Sequence, residues 1–362
     1  MTRRAILVLS DGSVYRGQGF GANADACGEV VFNTSMTGYQ EMLTDPAHAG
    51  QIVVPTYPLI GNCGINSDDI ESPRLQVRGF VIREAANMPN HYQSSRTLDQ
   101  YLAEAAISGI SELDTRAITR KLRTQGTMMG IVTSDKTPEQ ALELLNSVPR
   151  YGQTNFVKDV STRSVFRWQD DRATHPFHLA VLDCGVNYGI LRALSALDCA
   201  VTVVPSATSA EEILNLKPNG VIISPGPGNP DLLGNIVSSI EKLIGRLPIM
   251  GICLGAQLIT HAFGGKSLKL SFGHRGANQP VRELRTKRVH ITSQNHTYVP
   301  DPDSLPSELG ISHVSLNDGT IEGVRHKSLP IFAVQYWTEA SPRTLGSFQV
   351  FEEFLEMVRG AK

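Results

Sequence analysis

The 362-residue sequence predicts an α/β protein, with a mixed β/α domain over 1–150 and a doubly wound parallel-sheet domain over 178–362. Three observations lead there. At roughly 150 residues per domain the length suits two. The first part carries short β-rich runs bounded by Gly, Pro or Asp-Gly signals. From His178 onward, apolar runs alternate regularly with amphipathic helical stretches, the pattern of a parallel sheet covered on both faces.

In the first part, AILVL (5–9), EVVFN (29–33), QIVVPTY (51–57) and GFVIRE (79–84) read as strands. TLDQYLAEAA (97–106) and ELDTRAITRKLRTQG (112–126) read as helices, the second closed by Gly126. Thr137-Pro138-Glu139-Gln140 opens another helix, with Thr137 as cap, Pro138 in the first turn and Gln140 reaching back. Residues 151–177 lose periodicity and read as a linker. Beyond it, HLAVLD (178–183), AVTVV (200–204), GVIIS (220–224) and PIMGI (248–252) are strands. Their helices are YGILRALSAL (188–197), SAEEILNL (209–216), NIVSSIEKLIG (235–245) and LGAQLITHAFGG (254–265). VHITS (289–293) and IFAVQY (331–336) extend the sheet, and SFQVFEEFLEMV (347–358) is a closing helix.

Composition narrows the functional classes. The chain is 41% hydrophobic and 19% charged, and 33 Lys+Arg against 35 Asp+Glu leave a net charge of −2, so nothing points to nucleic acid. No apolar run approaches the ~18 residues of a membrane helix, and the opening MTRRAILVLSDGS is too short in apolar residues for a secretory signal. Five dispersed cysteines without a C-x-x-C pair suggest neither a disulfide framework nor a zinc ribbon, so a cytoplasmic location and no metal ligands are expected.

The strongest chemical signal is Gly251-Ile252-Cys253-Leu254-Gly255, set between a strand and a helix. This is the thiol form of a nucleophile elbow: glycines permit a tight turn that presents the central side chain at the carboxyl end of the sheet. The following helix directs its positive end at the sulfur, and its free N–H groups suit an oxyanion. In isolation the pattern also fits a buried structural cysteine beside packing glycines. Ser224-Pro225-Gly226-Pro227-Gly228-Asn229-Pro230, after the preceding strand, is a rigid turn with accessible backbone that suits substrate binding, or else is simply a turn. Gly264-Gly265-Lys266-Ser267 is no phosphate loop, because Thr260 stands where the first glycine is required.

Together, GVIISPGPGNP, PIMGICLGAQL, SFGHRGANQPV, ITSQNH and VQYWTEASP resemble a class I, triad-type glutamine amidotransferase domain over 178–362. GEVVFNTSMTGYQEMLTDP (28–46), YPLIGNCGIN (57–66) and ELDTRAITRKLR (112–123) are similar to the amino-terminal domain of the small subunit of carbamoyl-phosphate synthetase. The resemblance implies hydrolysis of L-glutamine to glutamate and ammonia, which is channelled to a large subunit for carbamoyl phosphate in pyrimidine and arginine synthesis. It implies docking to that large subunit through the amino-terminal domain, and no cofactor here, with ATP and Mg on the large subunit. It makes Cys253 the nucleophile and Glu339 the orienting carboxylate, and places Ala47, Gly226, Gly228, Leu254, Gln257, Asn295, Thr297 and Tyr298 at the glutamine site.

The sequence departs from that pattern where proton transfer is needed. The family's His-x-Glu is Trp337-Thr338-Glu339 here. Indole donates a hydrogen bond but has no basic nitrogen. Ala47 stands for a glutamine-contacting serine, Ala256 for a histidine, Thr297-Tyr298 for Gly-Phe, Asn187 for a lysine and Arg343-Thr344 for Gly-Pro. His261, His274, His290 and His296 are the nearby histidines that could replace the missing base or serve structure alone. Two functions are therefore compared: a glutaminase subunit impaired by Trp337, and a non-hydrolysing structural or regulatory partner of an ammonia-dependent synthetase.

Overall fold

The computed structural model describes residues 3–169, 175–336 and 349–361. The chain forms two compact units, Met1–Thr154 and Asn155–Lys362.

The amino-terminal unit is built on a closed seven-stranded barrel. Around it run Arg3–Leu9, Val14–Gly21, Ser108–Ser111, Gly79–Val81, Gln51–Pro55, Ala26–Asn33 and Met128–Thr133, which returns to the first strand. Ala26–Asn33, Gln51–Pro55, Gly79–Val81 and Ser108–Ser111 pair in parallel, and the remaining pairs are antiparallel. Val14–Gly21, Ser108–Ser111 and Met128–Thr133 escape the sequence reading because glycine dilutes their β signal. Glycine is needed there for close approach: a Cβ on Gly17 would lie 2.1 Å from the Ser111 carbonyl oxygen, and one on Gly109 would lie 2.4 Å from the Phe20 ring.

The expected helices form as Leu98–Glu104, Thr115–Gln125 and Pro138–Ser147. Thr137 and Gln140 make the reciprocal cap, with Gln140 N donating to Thr137 Oγ1 at 3.4 Å and Thr137 N donating to Gln140 Oε1 at 3.0 Å. Such a cap contributes about 1 kcal/mol. Gly126 closes its helix at φ 90°, its N–H bonded to Leu122 O.

The second unit contains a ten-stranded sheet. Its centre is parallel, in the order Cys199–Pro205, Phe177–Asp183, Gly220–Ile223, Ile249–Ile252 and Ile331–Val334. Beyond Ile331–Val334 it continues antiparallel through Ile321–His326, Leu309–Ser315, Ser267–Glu283 and Val289–Pro300. Alternate residues of the central strands feed two cores. Val181, Ile222, Met250 and Phe332 pack with Ile190, Phe351 and Phe354, while Leu182, Ile223 and Ile249 pack with Ile236, Ile240, Leu258 and Ile259. This two-sided burial explains why the strands read as unbroken apolar runs.

One organisational expectation is corrected. Residues 151–177 are not a linker throughout: Phe166–Trp168 pairs antiparallel with Cys199–Pro205 as an edge strand, and Val157–Val160 is a short helix of the second unit. Polar flanks hide this three-residue strand, whose Trp168 packs on Tyr188 at a ring separation of 5.0 Å. The closing helix is Gln349–Gly360, so the start expected at 347 lies outside the described residues. No helix among the described residues is long and apolar enough to cross a membrane, and none of the five cysteines forms a disulfide.

Acid sensitivity is built into the antiparallel extension. His313 is buried, near Ser312 Oγ at 2.9 Å and edge-on to Tyr336, and burial holds its pKa down to about 4. An unfolded histidine titrates near 6.5. Between these values the unfolded chain binds a proton that the fold refuses, so the contribution is full above pH 6.5 and falls as pH drops toward 4. Urea midpoints across that window are expected to fall with acidification. His313→Gln should flatten the dependence by up to about 1.4 kcal/mol per pH unit; an unchanged slope would contradict the assignment.

Candidate active site

The strand Ile249–Ile252 ends at Cys253, and the helix Leu254–Ala262 begins at the next residue. Cys253 has φ 54° and ψ −108°, an unusual conformation for a residue with a Cβ. Holding it there costs on the order of 1–3 kcal/mol, which the surrounding structure must offset. Both flanking glycines are required by close contact. A Cβ on Gly251 would lie 2.6 Å from Gly255 O, and one on Gly255 would lie 2.2 Å from Ile223 O. Cys253 N donates to Val334 O at 2.8 Å, tying the elbow to the next parallel strand.

Cys253 is 2% exposed, and its Sγ lies 3.6 Å from the carbonyl oxygen of Asn295. It borders an apolar cluster, yet it also caps a nine-residue helix whose first N–H groups lack intrahelical acceptors. That end favours negative charge on sulfur or on an adjoining oxyanion. Cys184, also at a strand end, is the contrasting case: complete burial pushes its thiol well above its ordinary value.

The proline-glycine loop packs directly on the elbow. A Cβ on Gly226 would lie 2.2 Å from Cys184 O and 2.8 Å from Leu254 Cδ2, and Gly228 takes φ 96°. Ser224 Oγ accepts from Cys184 N at 2.8 Å and anchors the loop's start. The strand Val289–Pro300 supplies the opposite side. Gln257 is buried and donates through Nε2 to Tyr298 O at 2.8 Å, which makes its amide a brace between elbow helix and strand. Thr297 Oγ1 accepts from Arg275 Nη2, and Arg275 Nη1 donates to Phe272 O at 2.7 Å.

The second unit thus brings Cys253, Leu254, Gly226, Gln257, Asn295 and Tyr298 into one connected neighbourhood. Ala47 belongs to the amino-terminal unit, where it is buried in the Pro46–His48 turn and donates to Asp45 Oδ1. Trp337 and Glu339 lie outside the described residues, three and five positions beyond Val334, which pairs with Ile252 in register.

His261, His274 and His296 are engaged with partners of their own, and His290 stands opposite Val281 in the hairpin register. His261 Nε2 lies 3.0 Å from Ser267 Oγ, and His296 Nδ1 lies 3.2 Å from Tyr298 O. Complete burial, with His274 and Arg275 nearby, holds His296 well below the ordinary histidine value. Burial also opposes charge on His274, but Glu322 and Asp318 outweigh it and raise its pKa. Burial raises Glu322 in turn. The His274–His296–Glu322 cluster has no motif spacing in the sequence; register pairs His274 with His296 across their hairpin, and Glu322 reaches them from Ile321–His326, a strand that is not hydrogen-bonded to either.

Comparison with known proteins places this geometry in a family. The model described as carbamoyl-phosphate synthase small chain, CPSase domain, matches residues 7–132, and that of class I glutamine amidotransferase matches 180–357. The carbamoyl phosphate synthase small chain of Akkermansia muciniphila is 44% identical over 99% of this chain and 98% of its own. The chain belongs to the carbamoyl phosphate synthase small-chain family. The small chain of Aquifex aeolicus is 43% identical over 99% of this chain and all of its own, and that of Methanopyrus kandleri is 46% identical over 98% and 99%. The Cys253 elbow therefore lies in the amidotransferase portion of a small chain, and the barrel unit carries the match to the family's CPSase domain.

Proposed function

We propose that this small chain hydrolyses L-glutamine through Cys253 and passes ammonia to a carbamoyl-phosphate synthase large subunit, at a rate limited by Trp337. The observation that carries the reading is the left-handed Cys253 between two glycines that cannot take a Cβ. Sulfur attacks the side-chain carboxamide carbon, the C–N bond breaks, ammonia leaves and a thioester remains. Water then cleaves the thioester to glutamate and regenerates the thiol. The Leu254 N–H and the Gly226–Gly228 loop are the backbone groups assigned to the oxyanion and substrate. Ala47, Asn295, Thr297 and Tyr298 remain assigned to glutamine binding by family resemblance. ATP and Mg are assigned to the large subunit, with docking through the amino-terminal unit and no nucleic-acid or membrane partner.

The step without an evident catalyst is protonation of the departing nitrogen. Glu339 has no imidazole to orient at position 337. Trp337 also supports the second reading, a non-hydrolysing partner of an ammonia-dependent synthetase. The two separate in an assay of glutamine-dependent ammonia release by the purified chain, alone and with a large subunit. Slow release that Cys253→Ser takes to background, with the melting temperature kept within a few degrees, is the expected result. Comparable release from the serine variant would show that the thiol is not the nucleophile. No release from either wild type or Trp337→His would leave the non-hydrolysing reading.

A further inference from the structure

Behind the strand that carries Asn295, three ligating side chains converge from distant parts of the sequence. His274 comes from Ser267–Glu283, His296 from Val289–Pro300 and Glu322 from Ile321–His326. One donor atom from each lies within 4.8 Å of the others. Glu322 Oε1 is 3.2 Å from His274 Nδ1 and 3.8 Å from His296 Nε2. We propose that His274, His296 and Glu322 form a transition-metal site in the amidotransferase unit, suited to Zn²⁺.

Ligand chemistry and outer contacts both support the assignment. Two imidazoles and a carboxylate are a common zinc donor set, and tetrahedral Zn–N and Zn–O bonds of about 2.0–2.1 Å set donor atoms about 3.3 Å apart. The His274–Glu322 spacing already matches, and the widest pair needs to close by no more than about 1.5 Å. Each ligand is held from behind. His274 Nε2 lies 2.7 Å from Asp318 Oδ2, and His296 Nδ1 lies 3.2 Å from Tyr298 O. Glu322 Oε2 accepts from Gln294 Nε2 at 3.0 Å. A carboxylate or carbonyl on the far ring nitrogen is the usual support of a metal-bound histidine, because it fixes which nitrogen presents its lone pair. Gln294 Oε1, 3.3 Å from His296 Nε2, stands at the right spacing for a fourth oxygen donor. Glu322 is fully buried with His274 Nδ1 at 3.2 Å, and buried carboxylates are paired or coordinate metals; a divalent ion would serve both imidazoles and the carboxylate at once.

The full-length chain, stripped with chelator, dialysed against Zn²⁺ and desalted, is expected to retain one equivalent by elemental analysis. Replacing Zn²⁺ with Co²⁺ should give visible bands of a four-coordinate nitrogen–oxygen site without thiolate charge transfer. Glu322→Gln should weaken retention at least tenfold, whereas Cys253→Ser should retain the full equivalent. Less than a tenth of an equivalent on the wild type, or an equivalent lost with Cys253→Ser and kept with Glu322→Gln, would overturn the site. These readouts are independent of glutamine hydrolysis, and the wild-type measurement decides even if a variant fails to fold.

Discussion

Trp337→His is expected to raise glutamine-dependent ammonia release by about 10²–10⁴-fold, the usual contribution of a positioned general acid–base. An unassisted thiol with a pKa near 8.5 is only a few per cent thiolate at neutral pH. The helix beginning at Leu254 can increase that fraction, but it cannot carry a proton to the leaving nitrogen. An imidazole does both, and Glu339, proposed as its orienting carboxylate, follows two positions later in the sequence. The gain should appear in kcat rather than KM. Labelling of Cys253 by an electrophilic glutamine analogue should be measurable in both chains, separating substrate admission from turnover. A wild-type rate equal to that of the histidine variant would show that the missing imidazole is not limiting.

Gly255→Val should destabilise the chain by about 3–5 kcal/mol, a large share of the roughly 5–15 kcal/mol that holds a protein folded. The first added carbon would lie 2.2 Å from Ile223 O and 2.8 Å from Ile223 C. These are backbone atoms of a central strand hydrogen-bonded in register to its neighbours, so rotating a side chain relieves nothing. Valine adds two methyl groups to that collision. Urea unfolding of Gly255→Ala and Gly255→Val beside wild type should give a graded fall in midpoint. A valine variant with the wild-type midpoint and activity would refute the close crossing of elbow helix and strand.

The parallel half of the second unit was largely legible in the sequence because burial on both faces writes apolar strands that no surface helix imitates. The Cys253 elbow was legible for a related reason: a turn this tight admits only glycine on either side, and glycine leaves a pattern in sequence. Other features left less trace. Val14–Gly21 and Ser108–Ser111 use glycine for close strand contact, which weakens the residue signal of a strand. Phe166–Trp168 is three residues long and gains its place by pairing with a distant strand. For Gln257, which the resemblance places at the glutamine site, the folded register adds a bond from Nε2 to Tyr298 O that sequence spacing does not reveal. The His274–His296–Glu322 cluster likewise depends on the pairing of His274 with His296 across the hairpin.

Closure of the amino-terminal strands into a ring has a consequence for how this unit can be gripped. Every ring strand already has a neighbour on both sides, so the ring offers no template on which another polypeptide could add a strand. Recognition of the ring must therefore be written in side chains and loops rather than in main-chain continuity. An association built that way is open to tuning one surface residue at a time.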